Sequence, residues 1–364
     1  MSGSAGRIAW IDTLRGIGII FVVICHGYSG AHPALLTYVF SFHIPLFFFL
    51  AGYVFQCAPS PRYGAFFLRK FKTRIVPYVI FYFIYYGSGF LILKRETGLS
   101  ITSVLLMDGR EKLAALLVAD RTVLDGIGNV ALWFLPNLFI AENIVFLIRM
   151  IAGKMRSAIP AALALLSIIA YGESVKGCLG LHATAVTALT AAVFYGCGSL
   201  AKAIFVQDWI VSGTPRNKIL IWLAATSASV AISLLNGRVD MSTNSYGNYL
   251  YFYTAAFSGI LCYAYIAQLF SSPGWLAYLG RNSLIISCLH LSSAQATPIL
   301  YLSAVSFFSG IDYTLIQRSS NIVFLEAASL DILTIVLIIP CIHVINTLIP
   351  AVIGRQKQRT EIAS

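Results

Sequence analysis

Residues 14–30 read LRGIGIIFVVICHGYSG, an apolar stretch with an arginine near its start and a histidine near its end. Comparable stretches recur along the 364 residues, of which 58% are hydrophobic and 11% are charged. Soluble domains carry about 25% charged residues, and disordered chains are poor in apolar and aromatic residues. The composition excludes both classes and predicts a membrane protein with several spans, each of about 20 apolar residues.

Ten apolar runs predict ten spans. They cover residues 14–30, 35–56, 73–93, 130–151, 157–172, 181–201, 217–235, 250–270, 284–304 and 328–353. The runs are continuous and lack the alternation of membrane β-strands, so helices are the expected element. The two halves of the sequence do not resemble each other. The predicted fold is an all-α polytopic membrane protein with about ten transmembrane helices.

The basic residues set the predicted orientation. Seventeen of the 25 lysines and arginines fall in the connections on the side of both termini, and eight fall in the opposite connections. Lys and Arg collect on the cytoplasmic side of membrane proteins, so both termini are predicted to be cytoplasmic. The same bias accounts for the net charge of +11 without nucleic acid as a partner. Residues 94–129, a long mixed-charge connection, are predicted to form an amphipathic helix on the outer surface.

The cysteines give no sign of a metal site or a disulfide framework. They show no metal-type spacing and mostly lie inside apolar runs, so buried free thiols are expected. They are Cys25, Cys57, Cys178, Cys197, Cys262, Cys288 and Cys341.

Ionisable residues inside spans are costly and are therefore candidates for function. In the first span, a rotation of 100° per residue brings Asp12, Arg15 and His26 to one helix face. His26 then lies about 16 Å beyond Arg15, towards the outer half of the membrane. Under the alternative interpretation, Asp12 and Arg15 only anchor the helix at the interface, while His26 hydrogen-bonds a neighbouring helix.

Two further spans carry polar residues near a proline. His43 lies beside Pro45 in the second span, which predicts a break in the helix there, and a purely structural kink is the favoured interpretation. Glu142 follows Trp133 and Pro136 in the fourth span and is the most unusual carboxyl group of the chain. It must pair with a basic group inside the bundle or be protonated, and a cavity-lining role and a structural pair both fit.

A basic run opens the third span. Residues 69–77 read RKFKTRIVP, with Arg69, Lys70 and Arg74 at the start of a helix. The helix N-terminus adds partial positive charge and free N–H groups, so the run suits a polyphosphate ligand such as coenzyme A. The alternative is a positive-inside anchor against anionic lipid.

The last two spans hold the remaining polar candidates. Asn282 and Ser283 suit a helix N-cap at the start of the ninth span, and His290 lies on the same helix face seven to eight residues further on. The other histidines and polar residues of interest are interpreted as structural or surface positions; they are Asp331, His343 and Asn346 in the tenth span, and His32 and His182 at outer helix ends.

Several of these segments together resemble the membrane acyltransferase-3 family, particularly its fucose-4-O-acetylase-like branch of polysaccharide O-acetyltransferases. The resemblance runs in order through residues 12–16 (DTLRG) with His26, 42–47 (FHIPLF), 74–78 (RIVPY), 132–135 (LWFL), and 279–283 (LGRNS) with His290. One departure stands in the basic run, where Phe71 lies three residues before Arg74 although many members carry arginine there.

The resemblance implies a ten-span fold that moves an acyl group, usually acetyl, from cytoplasmic acetyl-CoA to a glycan hydroxyl at the outer face. His26 would be the essential imidazole, acting as base or acyl carrier, with Asp12 and Arg15 on the same helix. Arg69, Lys70 and Arg74 would hold the phosphates of acetyl-CoA. The substrate cavity would be lined by His43, Trp133, Glu142, Asn282 and His290.

The resemblance also implies one transmembrane domain over residues 1–364, in the cytoplasmic (inner) membrane of a bacterium, without a metal cofactor. Only about ten residues follow the last predicted span, so no fused extracytoplasmic domain is expected. The expected partners are membrane lipid, the acceptor glycan and glycan-assembly proteins. A secondary transporter or a flippase for a glycan precursor is the rival function, although transporters often show internal repeats.

Overall fold

The computed structural model describes residues 8–27, 32–55, 62–97, 116–119, 121, 124, 129–153, 155, 157–204, 214–269, 274–294, 297 and 324–355. Thirteen α-helices of at least eight residues lie within these ranges. In chain order they are α1 Ala9–His26, α2 Pro33–Phe40, α3 His43–Tyr53, α4 Tyr63–Lys70, α5 Val76–Thr97, α6 Phe134–Ala152, α7 Ala158–Lys176, α8 Ala183–Ile204, α9 Pro215–Asn236, α10 Tyr249–Leu269, α11 Gly274–Arg281, α12 Ser283–Ala294 and α13 Phe324–Thr347. Single 3₁₀ turns occupy Val130–Trp133, Met241–Thr243 and Pro350–Ile353.

The helices confirm an all-α polytopic membrane protein of roughly ten spans. Eight helical segments of the described residues are long and apolar enough to cross a membrane; they are Ala9–His26, Pro33–Tyr53, Val130–Ala152, Ala158–Lys176, Ala183–Ala201, Arg216–Asn236, Tyr249–Leu269 and Ala328–Thr347. The third predicted span falls within the π-turn Phe71–Ile75 and α5. The ninth begins in α12, and most of residues 295–304 lie outside the described ranges, as does most of the surface helix predicted for 94–129.

The second span is broken beside His43, as predicted. The break lies at Ser41 and Phe42, between α2 and α3, and Pro45 occupies the first turn of α3. Proline is tolerated there because the first-turn N–H groups have no partner within the helix. Polar side chains satisfy carbonyl groups at the end of α2, since His43 Nδ1 lies 2.8 Å from the Val39 carbonyl oxygen and Ser41 Oγ donates to Tyr38 at 2.7 Å.

Two helix pairs approach so closely that only glycine fits at their contacts. A Cβ atom at Gly16 of α1 would overlap the Leu276 carbonyl oxygen of α11, and one at Gly280 would overlap the Asp12 carbonyl oxygen. Gly52 of α3 meets the backbone of α8 in the same way. Small residues at helix interfaces allow this approach in membranes, where van der Waals packing drives association. The contacts fix α1 against α11 and α3 against α8.

The lipid-facing helices are α7 and α9. Leu165 and Ile168 of α7 and Leu234 and Leu235 of α9 are exposed, which suits contact with acyl chains. The cysteines of the described residues are free; Cys262 and Cys288 are buried, but Cys178 and Cys341 are exposed. The expectation of buried thiols is therefore wrong for two of them, because both lie on outward-facing positions, and Cys57 lies outside the described residues.

Candidate active site

A cavity of about 350 Å³, here called the main cavity, lies between α1, α3, α6, α12 and the turn after α13. One residue stripe of α1 lines it, consisting of Arg15, Ile19, Val22 and His26. Their spacing of three and four residues is that of one helix face. The predicted alignment of Arg15 and His26 along one face is therefore observed, with about 16 Å of helix rise between them.

The main cavity changes from cationic to apolar along this stripe. Four arginines line it around the start of α1, namely Arg15, Arg74, Arg281 and Arg355, and this group is here called the basic mouth. The middle is apolar, with Phe47, Trp133 and Leu138 among its walls. His26 lies at the far end of α1. The shape suits an elongated molecule with an anionic head and a small reactive end.

The Asp12 carboxylate and the Asn346 side-chain amide contact three of the four arginines of the basic mouth. The Asp12 carboxylate is buried and lies 3.7 Å from Arg15 Nη1 and 4.0 Å from Arg281 Nη1. Arg355 donates to the Asn346 side-chain oxygen at 2.5 Å and to the Arg281 carbonyl oxygen at 2.8 Å. Asp12 itself is not part of the cavity wall, so its role in this structure is to orient the charges that are.

Asn282 links the basic mouth to the helices behind it. Its side-chain oxygen accepts a hydrogen bond from Asn346 Nδ2 at 2.9 Å, and its own Nδ2 donates to the Tyr278 carbonyl oxygen at 2.9 Å. The Asn282 backbone carbonyl accepts from the Ile286 N–H as a helix-capping residue does. The predicted N-cap hydrogen bond from the Asn282 side chain is not formed, because the Asn282 side-chain oxygen accepts from Asn346 instead of from a helix N–H. Asn282 lines the main cavity, as predicted.

Glu142 is the counter-ion of the basic run. Its side chain is fully buried, and its carboxylate accepts from Lys70 Nζ at 2.6 Å and from Arg74 Nη2 at 3.0 Å and Nε at 3.3 Å. Burial lowers the pKa of the Lys70 ammonium, and the Glu142 carboxylate opposes that shift. Glu142 lies outside the wall of the main cavity, so the structure shows the ion pair rather than a cavity-lining carboxylate.

The three basic residues predicted to bind the donor lie in different surroundings. Arg74 lines the main cavity. Lys70 points to Glu142 instead, and Arg69 is exposed, with its guanidinium carbon 5.8 Å from the centroid of the Phe66 ring. The difference arises at the π-turn Phe71–Ile75, which joins α4 to α5 and changes the helical period within the run. π-Turns inside helices are frequent at functional sites.

His26 and His290 form a pair at the end of the main cavity that lies away from the basic mouth. Their ring centroids lie 5.2 Å apart. His290 is buried, and its Nδ1 lies 2.9 Å from the Ser287 carbonyl oxygen, so Nδ1 carries the hydrogen and Nε2 keeps a lone pair. Among the described residues, His290 Nε2 has no hydrogen-bond partner. His26 lines the main cavity and His290 lies behind it.

The other predicted site residues divide between wall and scaffold. Trp133 lines the main cavity, in the 3₁₀ turn that opens α6. His43 does not line it; the ring is buried against the end of α2. The sequence interpretation missed Arg281 and Arg355, because the positive-inside rule already accounted for both. A signal for Arg281 existed, since it directly precedes Asn282 in a segment that carries the family resemblance.

The described helices of this membrane protein enclose a cavity with four arginines at one end and a histidine at the other, a shape suited to an anionic molecule. The model of the acyltransferase domain matches residues 8–350, and the chain belongs to the acyltransferase-3 family. Family membership makes the protein a membrane-bound acyltransferase. Comparisons with the curated proteins and with the solved structures give no match.

Proposed function

We propose that the protein is an O-acetyltransferase that takes an acetyl group from cytoplasmic acetyl-CoA and passes it to a hydroxyl of a cell-envelope or exported glycan. The observation that carries this proposal is the main cavity itself, which joins the basic mouth to His26 along one face of α1. A thioester donor needs positive charge around its phosphates and an imidazole beside its carbonyl carbon, and this cavity offers both in the required order.

The basic mouth supports binding of the CoA phosphates. Guanidinium groups bind phosphate through parallel, charge-assisted hydrogen bonds, which a lysine cannot provide. Arg74 belongs to the predicted donor site, and Arg281 and Arg355 add two further guanidinium groups. The apolar middle of the main cavity suits the pantetheine arm, and the acetyl group would then lie next to His26.

His26 supports the chemical step in either of two ways. As a general base it takes the proton of the acceptor hydroxyl while the oxygen attacks the thioester carbonyl, the C–S bond breaks and the proton passes to the CoA thiolate. As an acyl carrier it first attacks the carbonyl itself, releases CoA and then gives the acetyl group to the hydroxyl. His290 stands behind His26 with an accepting Nε2, a position suited to orienting the His26 ring.

The charge distribution supports the orientation of the reaction. The connections rich in Lys and Arg belong to the same side as the basic mouth, which supports a cytoplasmic binding site for acetyl-CoA. The inner membrane of a bacterium is then the expected location, and the acceptor glycan and its assembly proteins would lie at the opposite face. A glycan transporter has no use for a mouth of guanidinium groups that opens into a cavity ending at a histidine pair.

Transfer of radiolabel from [acetyl-¹⁴C]acetyl-CoA to polysaccharide extracted from the source cells tests the proposal in membranes. We expect transfer by the wild type and a loss of about 100-fold or more for His26→Ala, the usual size of an acid–base contribution. His343→Ala is the matched control, because that histidine is exposed and outside the main cavity. Equal transfer by His26→Ala and wild type would refute the proposal.

Omitting the polysaccharide distinguishes the two roles of His26. An acyl carrier retains label on the denatured protein, in amounts that disappear in His26→Ala, whereas a base leaves the protein unlabelled. The same assay with labelled succinyl-CoA identifies the donor. Label from succinyl-CoA alone would contradict acetyl-CoA as the donor.

A further inference from the structure

A second cavity of about 180 Å³ lies beside the main cavity, where α6 and α8 begin and the chain turns between α9 and α10. Its polar lining comes mainly from Arg121, Asn137, His182, Thr184 and Ser242. Helices α6 and α8 begin at this end of the bundle, whereas α1 begins at the basic mouth. The second cavity therefore lies towards the membrane face opposite the basic mouth.

Trp133 connects the two cavities, because its side chain belongs to the walls of both. Trp133 and His26 both line the main cavity, and Trp133 and Arg121 both line the second cavity. The reacting end of the main cavity and the second cavity are thus neighbours. A group held in the second cavity would pass the Trp133 ring to enter the main cavity.

The wall of the second cavity contains a buried hydrogen-bond acceptor that none of the described residues uses. Asn137 is 2% exposed, and its Nδ2 donates to the Trp133 carbonyl oxygen at 2.8 Å. Its side-chain oxygen has no hydrogen-bond partner among the described residues. Buried polar atoms in native proteins are nearly always paired, so an orphaned one in a cavity wall indicates a ligand donor.

The other polar side chains of the wall add further acceptors and a matching donor. Thr184 Oγ1 donates to the Val118 carbonyl oxygen at 2.6 Å and Ser242 Oγ donates to Asp240 at 2.5 Å, so both hydroxyl oxygens keep lone pairs. Arg121 lies 3.6 Å from Asp240 and supplies N–H donors whose charge is already balanced. Because Asp240 balances the charge of Arg121 and the neighbouring hydroxyl oxygens accept hydrogen bonds, the cavity favours a neutral polyol over an anion.

We infer that the second cavity binds one neutral sugar unit of the acceptor glycan and directs one of its hydroxyls past Trp133 towards His26. This inference rests on the proposed function. An aromatic wall covers the C–H face of a sugar ring, and the hydroxyl groups donate to Asn137, Thr184 and Ser242. The directed hydroxyl loses its proton to His26 as its oxygen bonds the acetyl carbon, and the CoA thiolate leaves and takes up the proton.

The test measures acceptor and donor dependence separately in the purified full chain. Ala183 belongs to the wall of the second cavity and is exposed, so Ala183→Phe fills the cavity without disturbing buried packing. Ala164→Phe is the matched control, because Ala164 is exposed on the lipid side of α7. Asn137→Leu is the second variant, since leucine has a similar volume and removes the orphaned acceptor.

The probes are labelled acetyl-CoA and polysaccharide extracted from the source cells, with binding of labelled acetyl-CoA in the absence of polysaccharide as the donor-side readout. We expect Ala183→Phe to raise the KM for polysaccharide at least 10-fold and Asn137→Leu to raise it about 2- to 10-fold, the effect of one hydrogen bond. In both variants the KM for acetyl-CoA and the binding of labelled acetyl-CoA stay within about twofold, and Ala164→Phe matches the wild type.

Each alternative result has a definite meaning. A wild-type KM for polysaccharide in both Ala183→Phe and Asn137→Leu overturns the second cavity as the acceptor site while leaving the proposed function intact. A raised KM for acetyl-CoA in the same variants overturns it as well, because the cavity would then serve the donor. Absence of acetyl transfer and of acetyl-CoA binding in the wild type itself overturns the proposed function and this inference together.

Discussion

Replacing Glu142 by glutamine removes the negative charge that holds Lys70 and Arg74, and Arg74 is part of the basic mouth. The Glu142 carboxylate is fully buried and accepts hydrogen bonds from Lys70 at 2.6 Å and from Arg74 at 3.0 and 3.3 Å. Glutamine keeps the volume but removes the negative charge and turns an N–H₂ group towards one of the cations. Arg74 lines the main cavity and Glu142 does not, so Glu142 is a positioning residue.

The magnitude follows from the burial of the partners. Removing one member of a buried ion pair costs about 3–5 kcal/mol, because the other charge is left uncompensated. The side chains of Lys70 and Arg74 are 14% and 21% exposed and regain some hydration, so we expect a loss of about 3 kcal/mol. Lys70→Met alone removes one charged hydrogen bond, worth about 1.5–3 kcal/mol. The double variant should lose about 0.5–3 kcal/mol less than the sum of the two.

Reversible unfolding in mixed SDS–detergent micelles measures these free energies, and acetyl transfer measures the effect on the donor. We expect Glu142→Gln to raise the KM for acetyl-CoA more than it lowers kcat. Glu173→Gln is the matched control, because Glu173 is a buried carboxylate that accepts from the Leu179 and Leu181 N–H groups, far from the main cavity. The reasoning fails if Glu142→Gln costs under about 1 kcal/mol, or if Glu173→Gln raises the KM equally.

Two further predictions concern the packing of α1 and the basic mouth. Gly16→Ala should destabilise the protein by about 1–3 kcal/mol, because the new Cβ atom overlaps the Leu276 carbonyl oxygen. Gly172→Ala has open space around it and should stabilise α7 by about 0.5–1 kcal/mol. Equal free energies of unfolding for the two variants would contradict this prediction. Arg355→Gln should raise the KM for acetyl-CoA about 10-fold, the effect of one charged hydrogen bond. Arg69 is exposed and outside the main cavity, so Arg69→Gln should leave this KM unchanged. A similar increase in both variants would show that bulk surface charge rather than the cavity wall attracts the donor.

The helices were predictable because a lipid environment leaves the chain few choices. Every backbone N–H in the membrane needs a partner within the protein, so long apolar runs become helices almost regardless of side-chain detail. The break beside His43 was also visible, since a proline and a histidine interrupt an otherwise apolar run. The π-turn Phe71–Ile75 was not visible, because no residue pattern of the run marks it, and the Glu142 partner of Lys70 and Arg74 lies 72 and 68 residues away in sequence.

The site was predictable along one helix but not between helices. Helical periodicity alone placed Arg15 and His26 on one face, because both lie on the same continuous segment. No spacing rule could tell which cation of the basic run meets Glu142 and which faces the main cavity. Arg355 reaches the mouth through the 3₁₀ turn Pro350–Ile353 and through Asn346, contacts that exist only once α13 has folded against the other helices.

The two cavities together explain how such a protein could act across a membrane without moving its substrates through it. The phosphates of acetyl-CoA are too polar for the bilayer interior, but an acetyl group is small and neutral. On the proposed function, CoA stays in the basic mouth, the sugar stays in the second cavity, and only the acetyl group passes between them at His26. Close glycine contacts of α1 and α3 with their neighbours favour this fixed arrangement, since such packed backbones resist the rocking motion that alternating access requires.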